Sequence, residues 1–262
     1  MSYRALKEDL FAVIDYPEQL TDLIGHAEPW RKFCALPSEV KEKFSFLNHQ
    51  STIDADPGYR LRSREEGRED KEYFHSYPEI PQLIASDGLQ GMVEGDMVLK
   101  DFFDYSDRVL HASHAFAKNI GEELARDVPE LGELLREGKF RSVLRLLHYT
   151  NDPTTEVIAA QHFDRSLYTL HLYESAPGLQ FLNWDLTWTE APIAHGKTVV
   201  FNGYRGEVIT KGALQKTWHR VVSHGHDTDR ISLVLFVWSN HVEDYPKEAR
   251  SQSLQPSYVR NS

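Results

Sequence analysis

Apolar positions along the chain change rhythm near residue 140. In "SDRVLHASHAFAKNIGEELARDV", Ser106 to Val128, the residues Val109, Leu110, Phe116, Ile120 and Leu124 recur at the spacings of a helix that buries one face. "LPSEVKEKF", Leu36 to Phe44, reads as a short helix with Ser38 as its cap, Pro37 ahead of it and acids in its first turn. Between them, "DADPGYRLRSREEGRED", Asp54 to Asp70, reads as a polar, arginine-rich loop. Residues 1–139 are therefore expected to form helices and loops.

From Phe140 the apolar residues gather in short runs: "SVLRLLHYT", "EVIAAQHFD", "LYTLHLY", "LQFLNW", "KTVVFNG", "TWHRVVS" and "RISLVLFVW". Such β-branched and aromatic runs, broken by turn residues, predict a sandwich or barrel rather than alternating βαβ units. No Pro- or Ser-rich linker separates the halves. One domain over 1–262 is expected, with helices cladding a β core over about 140–240 and a polar tail over 241–262.

Composition narrows the function classes. The chain has 262 residues, 40% hydrophobic and 26% charged, which suits an ordinary globular protein with a real core. Its net charge of −11 disfavours nucleic acid and anionic membranes as partners. Cys34 is the only cysteine, so neither an internal disulfide nor a thiolate metal site is expected. The N-terminus lacks a signal-peptide core and no run has the length of a membrane span, so a soluble cytoplasmic protein is expected.

Candidate chemistry begins at "QHFDRSLYTL", Gln161 to Leu170. On a strand, His162 and Asp164 share a face. His219, in "KTWHRVV", is the best third ligand, because a barrel brings distant strands together. Two imidazoles and one carboxylate suit a non-haem Fe(II) oxygenase; zinc competes, and the ligands alone do not decide. Arg230 and Ser232 also share a face, and a buried guanidinium needs an anion, for which its fork matches a carboxylate. Tyr149, in "RLLHYT", offers a phenolic hydroxyl to such a ligand.

"HFD", "GLQ" at Gly178 to Gln180, "HRVV" and "RIS" follow in an order and spacing that resembles the isopenicillin N synthase-like branch of the Fe(II)/2-oxoglutarate-dependent dioxygenases. "RLLHY", "LPSEVKEKF", "GY" and "DKEYF" extend the resemblance over most of the chain. It implies an α+β fold with a mainly β core, a distorted double-stranded β-helix (jelly roll) flanked by helices, one of them long and packed on the barrel. It implies His162, Asp164 and His219 as Fe(II) ligands, Arg230 and Ser232 as the clamp for 2-oxoglutarate with Tyr149 assisting, and O2 as oxidant. The implied activity is oxidation, usually hydroxylation, of a C–H bond in a small carboxylated metabolite, with release of succinate and CO2. Two rivals stand beside it: an isopenicillin N synthase-type oxidase that does not use 2-oxoglutarate, and a non-catalytic metal-dependent binding or sensing protein. The chain departs from the pattern at Tyr204, where an aspartate is usual, at Leu147, where asparagine is frequent, and in a shorter N-terminal segment. These departures spare the metal site and bear on the substrate.

The resemblance puts "GYR" and "EYFH" on the substrate side, which makes Arg60, Arg62, Tyr73 and His75 candidates, an arginine for a carboxylate and the Tyr73 ring for an apolar body. Against this, Arg60, Arg62, Arg64 and Arg68 alternate with Glu65, Glu66, Glu69 and Asp70, as in a self-neutralised surface loop. His111 and His114 lack a third ligand, and His224, His226 and Asp227 read as a solvated turn. His171 and His195 read as barrel-face and loop residues, and Trp184 and Trp188 as core or sheet-edge aromatics.

Overall fold

The computed structural model describes residues 3–242 apart from 26, 48, 50–55, 63–70, 151–155 and 225–228. Among the described residues there are eleven strands. They are β1 (Phe11–Asp15), β2 (Gly58–Arg62), β3 (Lys71–Ser76), β4 (Arg141–Tyr149), β5 (Val157–His162) and β6 (Tyr168–Glu174), then β7 (Leu179–Leu182), β8 (Trp188–Glu190), β9 (Lys197–Asn202), β10 (His219–Val222) and β11 (Arg230–Trp238). They form a seven-stranded sheet in the order β1-β9-β6-β11-β4-β3-β2 and a four-stranded sheet in the order β5-β10-β7-β8. All pairings are antiparallel, and the two sheets make a jelly roll.

β11 lies at the centre of the larger sheet, and every one of its residues is buried, as a near-continuous apolar run requires of a strand covered on both faces. The N-terminal region departs from expectation. It contributes β1, β2 and β3, so the larger sheet begins well before residue 140. The sequence read as an arginine-rich loop includes β2, and the rest of that stretch, with Arg64 and Arg68, lies largely outside the described residues. His226, Asp227 and most of the predicted tail also lie outside them.

The long helix runs from Met97 to Leu124, starting earlier than its apolar spacing suggests. Asp96 caps it, accepting from the amides of Val98 at 2.8 Å and Leu99 at 3.2 Å. Ser38 opens the helix Ser38–Lys41 but makes no cap; Pro37 holds the capping position without a side-chain hydrogen bond. The long helix packs on the outer face of the larger sheet through a cluster of rings. Phe102 stacks on Phe33 of the helix Glu28–Cys34 with centroids 4.1 Å apart, and Phe74 of β3 meets Phe102 edge-on at 5.1 Å. Each fully buried ring of this kind contributes about 1.5–3 kcal/mol. Among the described residues, no helix is long and apolar enough to cross a membrane.

Gly178 explains the "GLQ" signature. Its φ is +150°, and a Cβ there would lie 2.3 Å from the carbonyl oxygen of Val222, so only glycine lets β7 approach β10 this closely.

Candidate active site

The smaller sheet places two imidazoles opposite each other. His162 closes β5, His219 opens β10, and the two are register partners with ring centroids 4.2 Å apart. Asp164 reaches them differently from the sequence expectation. β5 ends at His162, so strand alternation does not aim the aspartate; the turn does. Thr169 Oγ1 donates to Asp164 Oδ2 at 2.7 Å, and the Asp164 carbonyl accepts from the Tyr204 amide at 2.8 Å. Asp164 Oδ1 then stands 3.8 Å from His219 Nε2.

The donor set fits a metal. Nδ1 of His162 donates to the Ala160 carbonyl at 2.7 Å and Nδ1 of His219 to the Thr217 carbonyl at 3.2 Å, leaving both Nε2 atoms to coordinate. One ligand atom from each of His162, Asp164 and His219 lies within 4.8 Å of the others. Burial, and then the neighbouring His162, push the His219 pKa down to about 4, so that ring is a neutral ligand at ordinary pH. His162 is the most open of the three to solvent.

The same cavity contains Arg230, Ser232 and Tyr149. Arg230 is 1% exposed and pairs in register with Tyr149, its guanidinium 5.6 Å from that ring. Its Nη1 donates to Ser232 Oγ at 2.6 Å and its Nε to the Ala176 carbonyl at 3.1 Å. Its Nη2 is bonded to Glu174, a partner sequence reasoning missed. His171, expected as a plain barrel-face residue, also lines the cavity, with Nε2 3.4 Å from the Glu174 carboxylate. Burial opposes ionisation of Glu174, yet His171 and Arg230 hold its pKa below the ordinary value. Its direction is set by a bulge. Ser232 pairs with Glu174 and Val234 with His171, so β6 carries Leu172 as an extra residue and presents His171 and Glu174, three apart, on one face.

The predicted substrate residues fall on the same inner face as Arg230 and Ser232. Arg60 pairs with Tyr73, Gly58 with His75, Tyr73 with Leu147 and His75 with Arg145 across β2, β3 and β4. Of these, Arg145 and Leu147 line the cavity with the triad, whereas Arg60, Arg62, Tyr73 and His75 are placed around them. The signal for Arg145 was available, because it lies four residues before Tyr149 on one strand.

The other histidines stay apart from the triad. His111 contacts Asp107 of its own helix, His114 Nδ1 bonds Ser142 Oγ at 2.9 Å, His224 pairs with Glu190 at 3.0 Å, and His195 lines a separate pocket. Trp184 donates to the Glu8 carbonyl, and Trp188 lies under Arg220. Cys34 is less isolated than its sequence suggests, for its sulfur, Glu72 and His148 also bring ligand atoms within 4.8 Å of one another. The Lys41 ammonium occupies that cluster, 2.6 Å from Glu72, and makes it an ion-pair network.

Residues 140–238 match the family described as the 2OG-Fe(II) oxygenase superfamily. The chain is 34% identical over 104 residues to a 2-oxoglutarate-dependent dioxygenase of Didymella fabae, which covers 37% of this chain and 31% of that protein. It is 24% identical over 235 residues to feruloyl CoA ortho-hydroxylase 1 of Arabidopsis thaliana, covering 89% of this chain and 63% of that protein. It thus spans under two thirds of the length of either relative. The fold is similar to that of the dioxygenase for auxin oxidation 1 of Arabidopsis thaliana, solved as a 2-oxoglutarate binary complex, with a TM-score of 0.66 at 16% identity over 92% of this chain and 87% of that one.

Proposed function

We propose that the chain is a non-haem Fe(II)- and 2-oxoglutarate-dependent dioxygenase that hydroxylates a small carboxylated metabolite, a reading supported by the match of residues 140–238 to the 2OG-Fe(II) oxygenase superfamily. The observation that carries the reading is that a two-histidine, one-carboxylate cluster and a buried arginine–serine pair line one cavity. His162 and His219 hold the metal through Nε2 and Asp164 through its carboxylate, kept in place by Thr169. Arg230 and Ser232 receive the distal carboxylate of 2-oxoglutarate beside the Tyr149 ring. Leu147, Phe201 and Val234 wall the cavity against water. Iron bound at the triad supplies dioxygen activation, for the overall change R–H + O2 + 2-oxoglutarate to R–OH + succinate + CO2. Arg60, Arg62, Tyr73 and His75 stand on the substrate side, on the inner face they share with the clamp.

Anaerobic titration of the Fe(II)-loaded chain with 2-oxoglutarate tests this. A weak visible charge-transfer band is expected, lost in His162→Ala and needing far more ligand in Arg230→Ala. Bound iron with no band removes the co-substrate assignment. Substrate-driven oxygen uptake without succinate puts the isopenicillin N synthase-type oxidase in its place.

A further inference from the structure

Arg145 is held as a preformed fork. Its Nε donates to His75 Nε2 at 2.7 Å, and His75 Nδ1 donates to the Asp56 carbonyl at 2.7 Å, which fixes the histidine tautomer that accepts from arginine. Burial, and then Arg145 itself, keep the His75 pKa well below its ordinary value, so the ring is a neutral acceptor. The guanidinium carbon lies 4.6 Å from the centroid of Phe236 and 5.4 Å from that of Tyr73. Rings and histidine thus hold it in place, while Nη1 and Nη2 have no carboxylate among the described residues. This guanidinium lines the cavity that contains the triad.

We propose that Arg145 is the substrate anchor: its two terminal amino groups take a carboxylate of the molecule to be oxidised, so the substrate is a carboxylic acid bound through a planar, two-pronged contact. The inference rests on the function proposed above only for the reaction; the binding stands by itself. The other arginines are less suited. Arg230 is assigned above to 2-oxoglutarate and already holds Ala176, Ser232 and Glu174. Arg60 commits Nη1 to Ser45 and to the Tyr59 carbonyl, and Arg62 stacks on Tyr73 at the exposed end of β2. The Arg145 row lies four residues along β4 from the row of Tyr149 and Arg230, roughly 13 Å at about 3.3 Å per residue. Two anions fit on this face without sharing a partner. A guanidinium already held between rings loses little freedom on binding, and its charge strengthens each hydrogen bond to a carboxylate.

The test is calorimetric titration of the full chain with acetate, benzoate and phenylacetate and with the matching neutral amides. It is run under argon, with and without saturating Fe(II) and 2-oxoglutarate, so that the clamp is filled in one arm. At least one acid is expected to bind the wild type in both arms and to bind Arg145→Gln and Arg145→Lys about tenfold or more weakly, with its amide indifferent to the change, whereas Arg230→Gln reports any acid held at the clamp instead. Arg145→Lys keeps the charge and loses the fork, and thermal unfolding of each variant checks that it is folded. Acid binding that survives in both Arg145 variants, or that vanishes only in Arg230→Gln, overturns the proposal, as does a wild type that binds none of the acids. Failure of the reaction assignment reads out separately, because Arg145-dependent binding without any charge-transfer band leaves the anchor standing and removes the co-substrate.

Discussion

Glu174 determines what 2-oxoglutarate would meet at the proposed clamp. Its carboxylate already neutralises Arg230, which lines the cavity, so an incoming carboxylate meets a paired guanidinium and a neighbouring negative charge. Removing one partner of a buried pair leaves the other uncompensated, at a cost of about 3 kcal/mol or more. Glu174→Gln is therefore expected to lower the melting temperature of the ligand-free protein by roughly 6–12 °C. The 2-oxoglutarate-induced rise should be larger than in the wild type, since the ligand restores the missing charge; an equal or smaller rise in a thermal-shift assay refutes this account of the clamp. The pairing of Arg230 with Ser232 was legible in the sequence because period-two spacing marks it, and that of His162 with His219 because residue chemistry on distant strand-like runs does. Glu174 and His171 were not, because plain alternation puts residues three apart on opposite faces and only the bulge at Leu172 brings them together.

β3 and β4 divide their residues by parity. Lys71, Tyr73 and His75 stand with Arg145, Leu147 and Tyr149 on the inner face, while Glu72, Phe74, Leu144 and Leu146 meet the helices outside. Phe74→Ala should accordingly cost about 3–5 kcal/mol in denaturant unfolding and leave the 2-oxoglutarate titration midpoint of the folded protein unmoved. A shifted midpoint would show that the two faces are not independent. The same parity explains which strands could be read in advance. β11 and β4 are apolar on both faces and stand out, whereas "GYRLR" carries arginines toward a polar cavity and so looks like a loop, and "KEYFHS" is readable as extended only through the resemblance. β1 is short and lies among helical segments, which hid it within a region read as helical.

At the scale of the whole molecule, an ion network joins the N-terminal segments to the β core. Glu72 accepts from Lys41 at 2.6 Å, Tyr59 at 2.8 Å and His148 at 2.8 Å, and His148 also meets Asp229, which pairs with Arg31. Burial would raise the Glu72 pKa, but His148, Lys41 and Tyr59 outweigh it and bring it to about 2. Burial likewise opposes the charge on His148, yet Glu72 and Asp229 raise its pKa above 6.5. The glutamate contribution is full above its unfolded value of 4.5 and fades as pH falls toward 2. The histidine contribution is full below 6.5 and fades as pH rises through its folded value. The stabilisation from this network should therefore peak between about pH 4.5 and 6.5, and Glu72→Gln should flatten the pH dependence of the melting temperature; an unchanged profile would refute the linkage. We propose that this network and the shared sheet make the described chain one cooperative unit, seen as a single unfolding transition. The strand order carries a further consequence for synthesis. Among the described strands β11 is the last to leave the ribosome, yet it is the neighbour of both β4 and β6. Until Trp238 has emerged, the β1-β9-β6 and β4-β3-β2 flanks have no described strand to join them, so the nascent chain must carry two unjoined flanks and the cavity wall that bears Arg230 is laid down after every other described strand.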